Sequence, residues 1–300
     1  YVGLHPQLFS TSPLFLWMAG PHEAVLQVAL KGEYKTDLDA LKDKIRKKAA
    51  EIIPGVKLSF EPIELTDKIL SQGSPTPVEV RFSGRDKKIN EEYAKKLVPV
   101  LQKISYLRDV QIGQSTNYPA INIDVNRLRA AQVGVDMSDV ARSVTPSTSS
   151  SRFTDKNIWT DIKSNTSYSV QVEVPENKML SRNDIGEISL LKNSPRPMLG
   201  DIADIKEGVT YGETDNVGSM PSLTVTANLN NKDLGSAVKD VQKAIESLGK
   251  LPRGLNVETI GLSRTLTDTL DSLQNGLIVA IVVIFLMLAA NFQSFKVSAI

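Results

Sequence analysis

Cysteine is absent from the 300 residues, which excludes disulfides and thiolate chemistry. The absence does not fix a compartment, because proteins of oxidising compartments also do without it. Histidine is almost missing: His5 and His22 are the only two, and neither stands in a spacing such as H-x-x-x-H or H-E-x-x-H. No G-x-x-x-x-G-K-[ST] loop and no strand-borne G-x-G-x-x-G cradle is present. A surplus of one charge is lacking too. Lysine plus arginine (35) nearly cancel aspartate plus glutamate (34), so no nucleic-acid partner is expected. The cluster at residues 42–48 is a solvated helix face with Asp39, Asp43 and Glu51 nearby. Met18, Met137, Met179, Met198, Met220 and Met287 are scattered, which indicates no thioether metal site. Asn122, Asp124 and Asn126 share a strand face without the turn glycine and closing glutamate of a calcium loop. With no nucleophile–base pair in sight, neither an enzyme nor a bound cofactor or metal is expected.

What the chain does have is one long uncharged stretch. No charge occurs from Ser272 to Phe295, and residues 277–290 are apolar on every helical face. A soluble surface helix would keep a polar stripe. A bilayer core takes about 20 helical residues, and Leu273, Phe292 and Phe295 extend the run to that length. It reads as a transmembrane helix, with a buried soluble helix as the alternative. It holds no acid that would mark an ion path. Lys296 just beyond it agrees with a cytoplasmic exit. Tyr1–Pro21 lacks a basic leader and contains Pro6 and Pro13, so no signal peptide is read there. The chain reads as a piece of a longer protein.

The remainder repeats a β-α-β pattern. In the first copy Leu26, Val28 and Leu30 share a strand face over Val25–Leu30. Thr36 is expected to cap a helix whose stripe is Leu38, Leu41, Ile45, Ala49 and Ile52, with Asp39 completing a variant capping box. Pro54-Gly55 ends it, and Val56, Leu58 and Phe60 alternate in a second strand. In the second copy Val78, Val80 and Phe82 precede a helix bearing Tyr93, Leu97, Leu101 and Ile104, then Val110 and Ile112. Pro99 is expected to kink or divide that helix. In the third, Leu223, Val225, Ala227 and Leu229 precede a stripe of Leu234, Val238, Val241, Ile245 and Leu248, then Leu255 and Val257. Between the second and third copies lie a half-buried strand (Ile121, Ile123, Val125), two short helices (Arg127–Gln132 and Met137–Val144) split by Gly134, a Ser/Thr-rich loop at Thr145–Ser151, and a strand with Tyr168, Val170, Val172 and Val174. The fold class is therefore α+β: repeated ferredoxin-like subdomains, a mixed α/β insertion and one terminal membrane helix.

Several segments, in order, resemble resistance-nodulation-division (RND) efflux pumps. They are Tyr106-Leu-Arg-Asp-Val110 (with Tyr where the family carries Gly), Ile121 through Val140, Pro197-Met-Leu-Gly-Asp-Ile202, and the apolar helix ending in Leu288-Ala-Ala-Asn-Phe-Gln-Ser-Phe295. The resemblance runs over residues 24–300, and its ending is more like the loop of the second half of such a pump. It implies a first porter subdomain, in part, at 1–65 and a second at 66–113 with 209–261. It places a docking insertion at 114–208, a lead-in at 262–275 and the membrane helix at 276–300.

The resemblance further implies a homotrimer of the bacterial inner membrane with residues 1–270 in the periplasm. Such a protein is proton-driven, works with a periplasmic adaptor and an outer-membrane channel, and exports lipophilic compounds from a periplasmic cleft. By analogy the cleft is lined by Phe9, Phe15 and Trp17 of an apolar loop and by Leu58 and Phe60, since aromatic surface suits varied substrates. The bland alternative keeps the loop tucked on a core and Leu58 and Phe60 inside it. The proton-relay carboxylates of the family belong to helices outside this chain. A heavy-metal exporter is the first alternative, disfavoured here because loop 9–18 and residues 56–60 and 78–82 hold no methionine except Met18. A membrane-tethered periplasmic sensor is the second, and a hydrolase a distant further one.

Overall fold

The computed structural model describes residues 22–32, 36–61, 69–71, 74–191, 194–293 and 295. Its elements begin with α1 (Leu38–Ile52), β1 (Val78–Ser83), α2 (Lys87–Gln102) and β2 (Leu107–Ile112). There follow β3 (Tyr118–Val125), α3 (Arg127–Gln132), α4 (Met137–Thr148), β4 (Asn157–Asp161), β5 (Thr166–Val170), α5 (Arg182–Gly186), β6 (Ser189–Leu191), β7 (Ser194–Met198), α6 (Leu199–Ile202) and β8 (Ala203–Thr210). The chain closes with β9 (Asp215–Val217), β10 (Met220–Leu229), α7 (Leu234–Glu246), β11 (Asn256–Ile260) and α8 (Leu262–Phe292). Two compact units result, Tyr1–Ser115 with Tyr211–Ile300, and Thr116–Thr210.

In the first unit the sheet order is β11-β1-β10-β2, with β9 added to β10 and all neighbours antiparallel. Two β-α-β units therefore interlock: β1 and β2 are separated by β10, and β10 and β11 by β1. This is the ferredoxin-like order expected from the repeats. Val80 faces Val225 and Phe82 faces Leu223 across β1 and β10. With Leu97 and Leu101 of α2 and Val241 and Ile245 of α7 they form one core, in which Phe82 is fully buried. Pro99 lies in the last turn of α2 and does not divide it; only the end of the helix feels the lost donor. Tyr106 ties the strand side to α7 by donating its hydroxyl to Asp240 (2.8 Å). Burial and that carboxylate push the phenol up to about 12.

β1 is covered on its other face as well. Glu79 and Ser83 are buried there, and Glu79 Oε1 accepts from the Thr76 amide (3.0 Å) and hydroxyl (3.1 Å). Burial raises its carboxyl above the ordinary range, with Thr76, Ser74 and Arg81 opposing. The root of α8 closes this side. Ser263 donates to the Pro77 carbonyl (2.8 Å) and Thr265 to the Leu70 carbonyl (3.0 Å). Gly261 makes the turn from β11 into α8 at φ 72, and an added Cβ would collide with Ser74. From there α8 runs 31 residues without interruption. It is the one helix among the described residues long and apolar enough to cross a membrane.

The first β-α-β copy turns out differently. α1 forms, though its cap is Asp37, not Thr36: the Asp37 carboxylate accepts from the amides of Asp39 (2.9 Å) and Ala40 (3.3 Å). Residues 25–30 and 56–60 are not strands. A strand is held by a neighbour that accepts its backbone groups, and neither segment joins a sheet among the described residues. Leu26 is 86% exposed.

The second unit builds a smaller core. Its Ala130, Val135, Val140, Ile185, Leu199 and Ile202 are buried, and β3 pairs with β8 over its whole length. Asp136 and Asp139 cap α4 reciprocally (2.8 and 3.1 Å). The expected Ser/Thr-rich loop is helical as far as Thr148, with the Ser147 and Thr148 hydroxyls donating to the carbonyls of Ser143 and Val144. The strand expected as far as Val174 stops at Val170, the end of its ladder with β4.

Candidate functional site

Leu58 and Phe60, expected to line a cleft, are both half-buried on a segment that follows α1. Phe9, Phe15 and Trp17 fall outside the described residues, so the structure does not bring the five together. Two cationic side chains lie over the Phe60 ring. The Arg46 guanidinium lies 4.8 Å from its ring centre and the Lys42 ammonium 6.0 Å, a contact that attracts cation to ring face.

Arg46 is placed by its position on α1 and by a buried carboxylate opposite. Its Nε and Nη2 donate to the two oxygens of Asp109 on β2 (2.7 and 2.6 Å), and Nη1 donates to Asp43 one helical turn back (2.7 Å). The Arg46 side chain is 18% exposed and that of Asp109 6%. The Asp109 hydrogen bonds hold the guanidinium proton more tightly than usual, against some loss from burial and with Asp43 adding to them. Asp109 adopts φ 54, a region Asp tolerates better than most residues. Asn228 of β10 completes the joint, its amide donating to Asp109 (3.0 Å) and to the Ser59 hydroxyl (3.0 Å). The aromatic face is thus engaged by Arg46, and the arrangement fastens α1 and residues 58–60 to the sheet.

Sequence reasoning missed Arg46, Asp109 and Asn228. A partial signal was there, since Asp109 lies inside the Tyr106–Val110 motif, but nothing in the chain order pairs it with residue 46. A second polar cluster, around Glu213 and Asp215, also escaped; two acids two residues apart on an extended segment were its trace. Among the described residues no three histidine, aspartate or glutamate side chains converge to hold a metal ion.

An antiparallel ferredoxin-like sheet, split by an inserted α/β unit, leads directly into one helix long and apolar enough to cross a membrane. The profile of the AcrB/AcrD/AcrF family matches residues 16–300. The chain belongs to that family of RND efflux transporters. It is similar to the cobalt-zinc-cadmium resistance protein CzcA of Cupriavidus metallidurans, with 26% identity over 257 residues, 81% of this chain and 23% of that protein. It is also similar to the cation efflux system protein CusA of Escherichia coli, with 23% identity over 245 residues, 80% of this chain and 23% of the relative. A crystal structure of a heavy metal efflux pump shares the fold at a TM-score of 0.66 and 21% identity, over 89% of this chain and 27% of that one. The chain thus spans under a quarter of the length of these curated relatives.

Proposed function

We propose that this chain is the porter and docking part of a proton-driven RND exporter whose substrates are metal cations. Its setting is a homotrimer in a bacterial inner membrane, with residues 1–270 on the periplasmic side and an adaptor and outer-membrane channel as partners. No covalent chemistry is assigned to it. The observation that carries the substrate class is the similarity, along four-fifths of the chain, to proteins named for cation efflux and cobalt-zinc-cadmium resistance. The cation is cargo, and no resident metal site is placed on the described residues.

The test is expression of the parent gene with its adaptor in a host stripped of its own cation and drug exporters. Cellular zinc, cobalt, cadmium, copper and silver are measured beside a fluorescent lipophilic cation, with and without a proton uncoupler. Lowered metal content that the uncoupler restores is the expected result. Lowered dye with unchanged metal would overturn the cation reading in favour of lipophilic substrates.

A further inference from the structure

The first turns of α8 stand on the stretch of chain that leads into β1. Ser263, fully buried, donates to the Pro77 carbonyl (2.8 Å), and Thr265 donates to the Leu70 carbonyl (3.0 Å). At the turn into the helix, Gly261 lies so close to Ser74 that a Cβ would collide with the serine hydroxyl. The root of a helix able to cross a membrane therefore rests on Leu70 and on residues 74–77. What ties that support to the sheet is Glu79. Ser74, Thr76 and Glu79 are all buried, and Glu79 Oε1 accepts from the Thr76 amide (3.0 Å).

The Thr76 hydroxyl decides where a proton must be. It has one to give, and two oxygens stand 3.1 Å from it, the Val78 carbonyl and Glu79 Oε1. The carbonyl can only accept. Both contacts are hydrogen bonds only when Glu79 carries a proton of its own and donates it to the Thr76 oxygen. The neighbouring charges are already matched. Arg81 of β1 pairs with Glu258 of β11 (3.6 Å), and Arg264 of α8 lies between Glu258 (3.5 Å) and Asp268 (3.8 Å). Across the ladders Glu79 meets Thr226 on β10 and Ile260 on β11, neither of them charged. α2 and α7 pack on the opposite face of β1. Glu79 is thus left among hydroxyls, where an ionised carboxylate is costly.

We propose that Glu79 is a protonated lock on the root of α8: its carboxylic acid donates to Thr76, Thr76 donates to Val78, and the residues that carry α8 stay fastened to β1 while the proton remains. When the proton leaves to water, the buried carboxylate draws the Thr76 hydroxyl to itself. The Val78 carbonyl then loses that donor and the support under α8 loosens. Burial is the largest influence on the Glu79 carboxyl and raises it above the ordinary range, against Thr76, Ser74 and Arg81. The sign follows: a carboxyl raised on folding stabilises at low pH, and that contribution fades as pH climbs through the raised value. The inference does not depend on the substrate assigned above.

The test uses the whole chain in detergent and has two readouts. In infrared difference spectra at neutral pH, the wild type should show a carboxylic-acid band that Glu79→Gln lacks, and absence of that band would overturn the proposal. Amide exchange then compares residues 262–270 with α2 at about pH 5.5 and about pH 9, a window that brackets a raised buried glutamate. After correction for intrinsic rates, exchange at the α8 root should rise about tenfold relative to α2 in the wild type. It should not rise in Glu79→Gln, whose amide donates to Thr76 at any pH. An equal rise in both proteins, or none in the wild type, sinks the lock. Glu213, which burial raises to about 7, and histidine also titrate in this window, and the comparison with Glu79→Gln cancels both. Should that variant not fold, Thr76→Val decides instead. Removing the hydroxyl should move the carboxylic-acid band if Glu79 donates to it, and an unmoved spectrum overturns the proposal.

Discussion

Val25–Leu30 and Val78–Phe82 carry the same alternation of apolar residues, yet only the second becomes a strand. β1 has β10 on one side and β11 on the other, α2 and α7 over one face and the root of α8 over the other. Residues 25–30 join no sheet among the described residues, and Leu26, Val28 and Leu30 are exposed. Alternation states which side chains want cover. It does not state that cover is present, because a strand's backbone groups are satisfied only by a neighbour.

The largest break in that comparison is expected from Phe82→Ala, which empties the centre of the core and should cost about 3–5 kcal/mol. Leu26→Ala, on the exposed counterpart, should change stability by less than about 0.5 kcal/mol. Denaturant unfolding of the two variants side by side measures the difference, and equal costs would mean that residues 25–30 are packed after all. Gly261→Ala comes next. It imposes both the φ of 72 and a collision with Ser74, for about 2–3 kcal/mol. Gly218→Ala shares a positive φ but meets open space and should cost about 1 kcal/mol.

A smaller and more local effect is expected from Arg46→Ala. It strands the buried Asp109 carboxylate and should cost about 2 kcal/mol, less than a fully buried pair because the arginine is partly solvated. Amide exchange should speed up in α1 while β1 stays protected; acceleration of both would show that α1 and the sheet unfold as one. The smallest is a slope. Glu79 is raised by burial, so its contribution is complete below the ordinary glutamate range and fades as pH climbs through the raised value. Glu79→Gln should flatten that part of the stability–pH curve while leaving acid stability unchanged, as followed by thermal unfolding across the range.

Much of the fold was legible because local pattern and partner agreed. The stripes on α2 and α7 and the alternation in β1 and β10 all point to the core they enter. Tyr106, which departs from the family pattern, was legible as a departure but not as a tie to Asp240, a contact 134 residues away. The candidate site was less legible for the same reason. Phe60 could be picked out as a large aromatic, but the arginine on its face comes from the preceding helix, held there by Asp109 and Asn228 from two different strands. Sequence order gives no hint of that convergence. The cap at Asp37 shows the finer limit: Thr36 and Asp37 are both good capping residues, and the backbone turn chooses between them.

The continuity of α8 has a mechanical consequence. A helix of 31 residues is a rod of about 46 Å, and its near end is gripped through Ser263, Thr265 and the Gly261 turn. No loop lies between that grip and the apolar stretch to absorb a rotation. A tilt of about 10° at the root therefore sweeps the far end sideways by about 8 Å on simple lever geometry, and a push on the far end returns to β11 and β1 as torque. Motion at one end of this rod is geared to strain at the other.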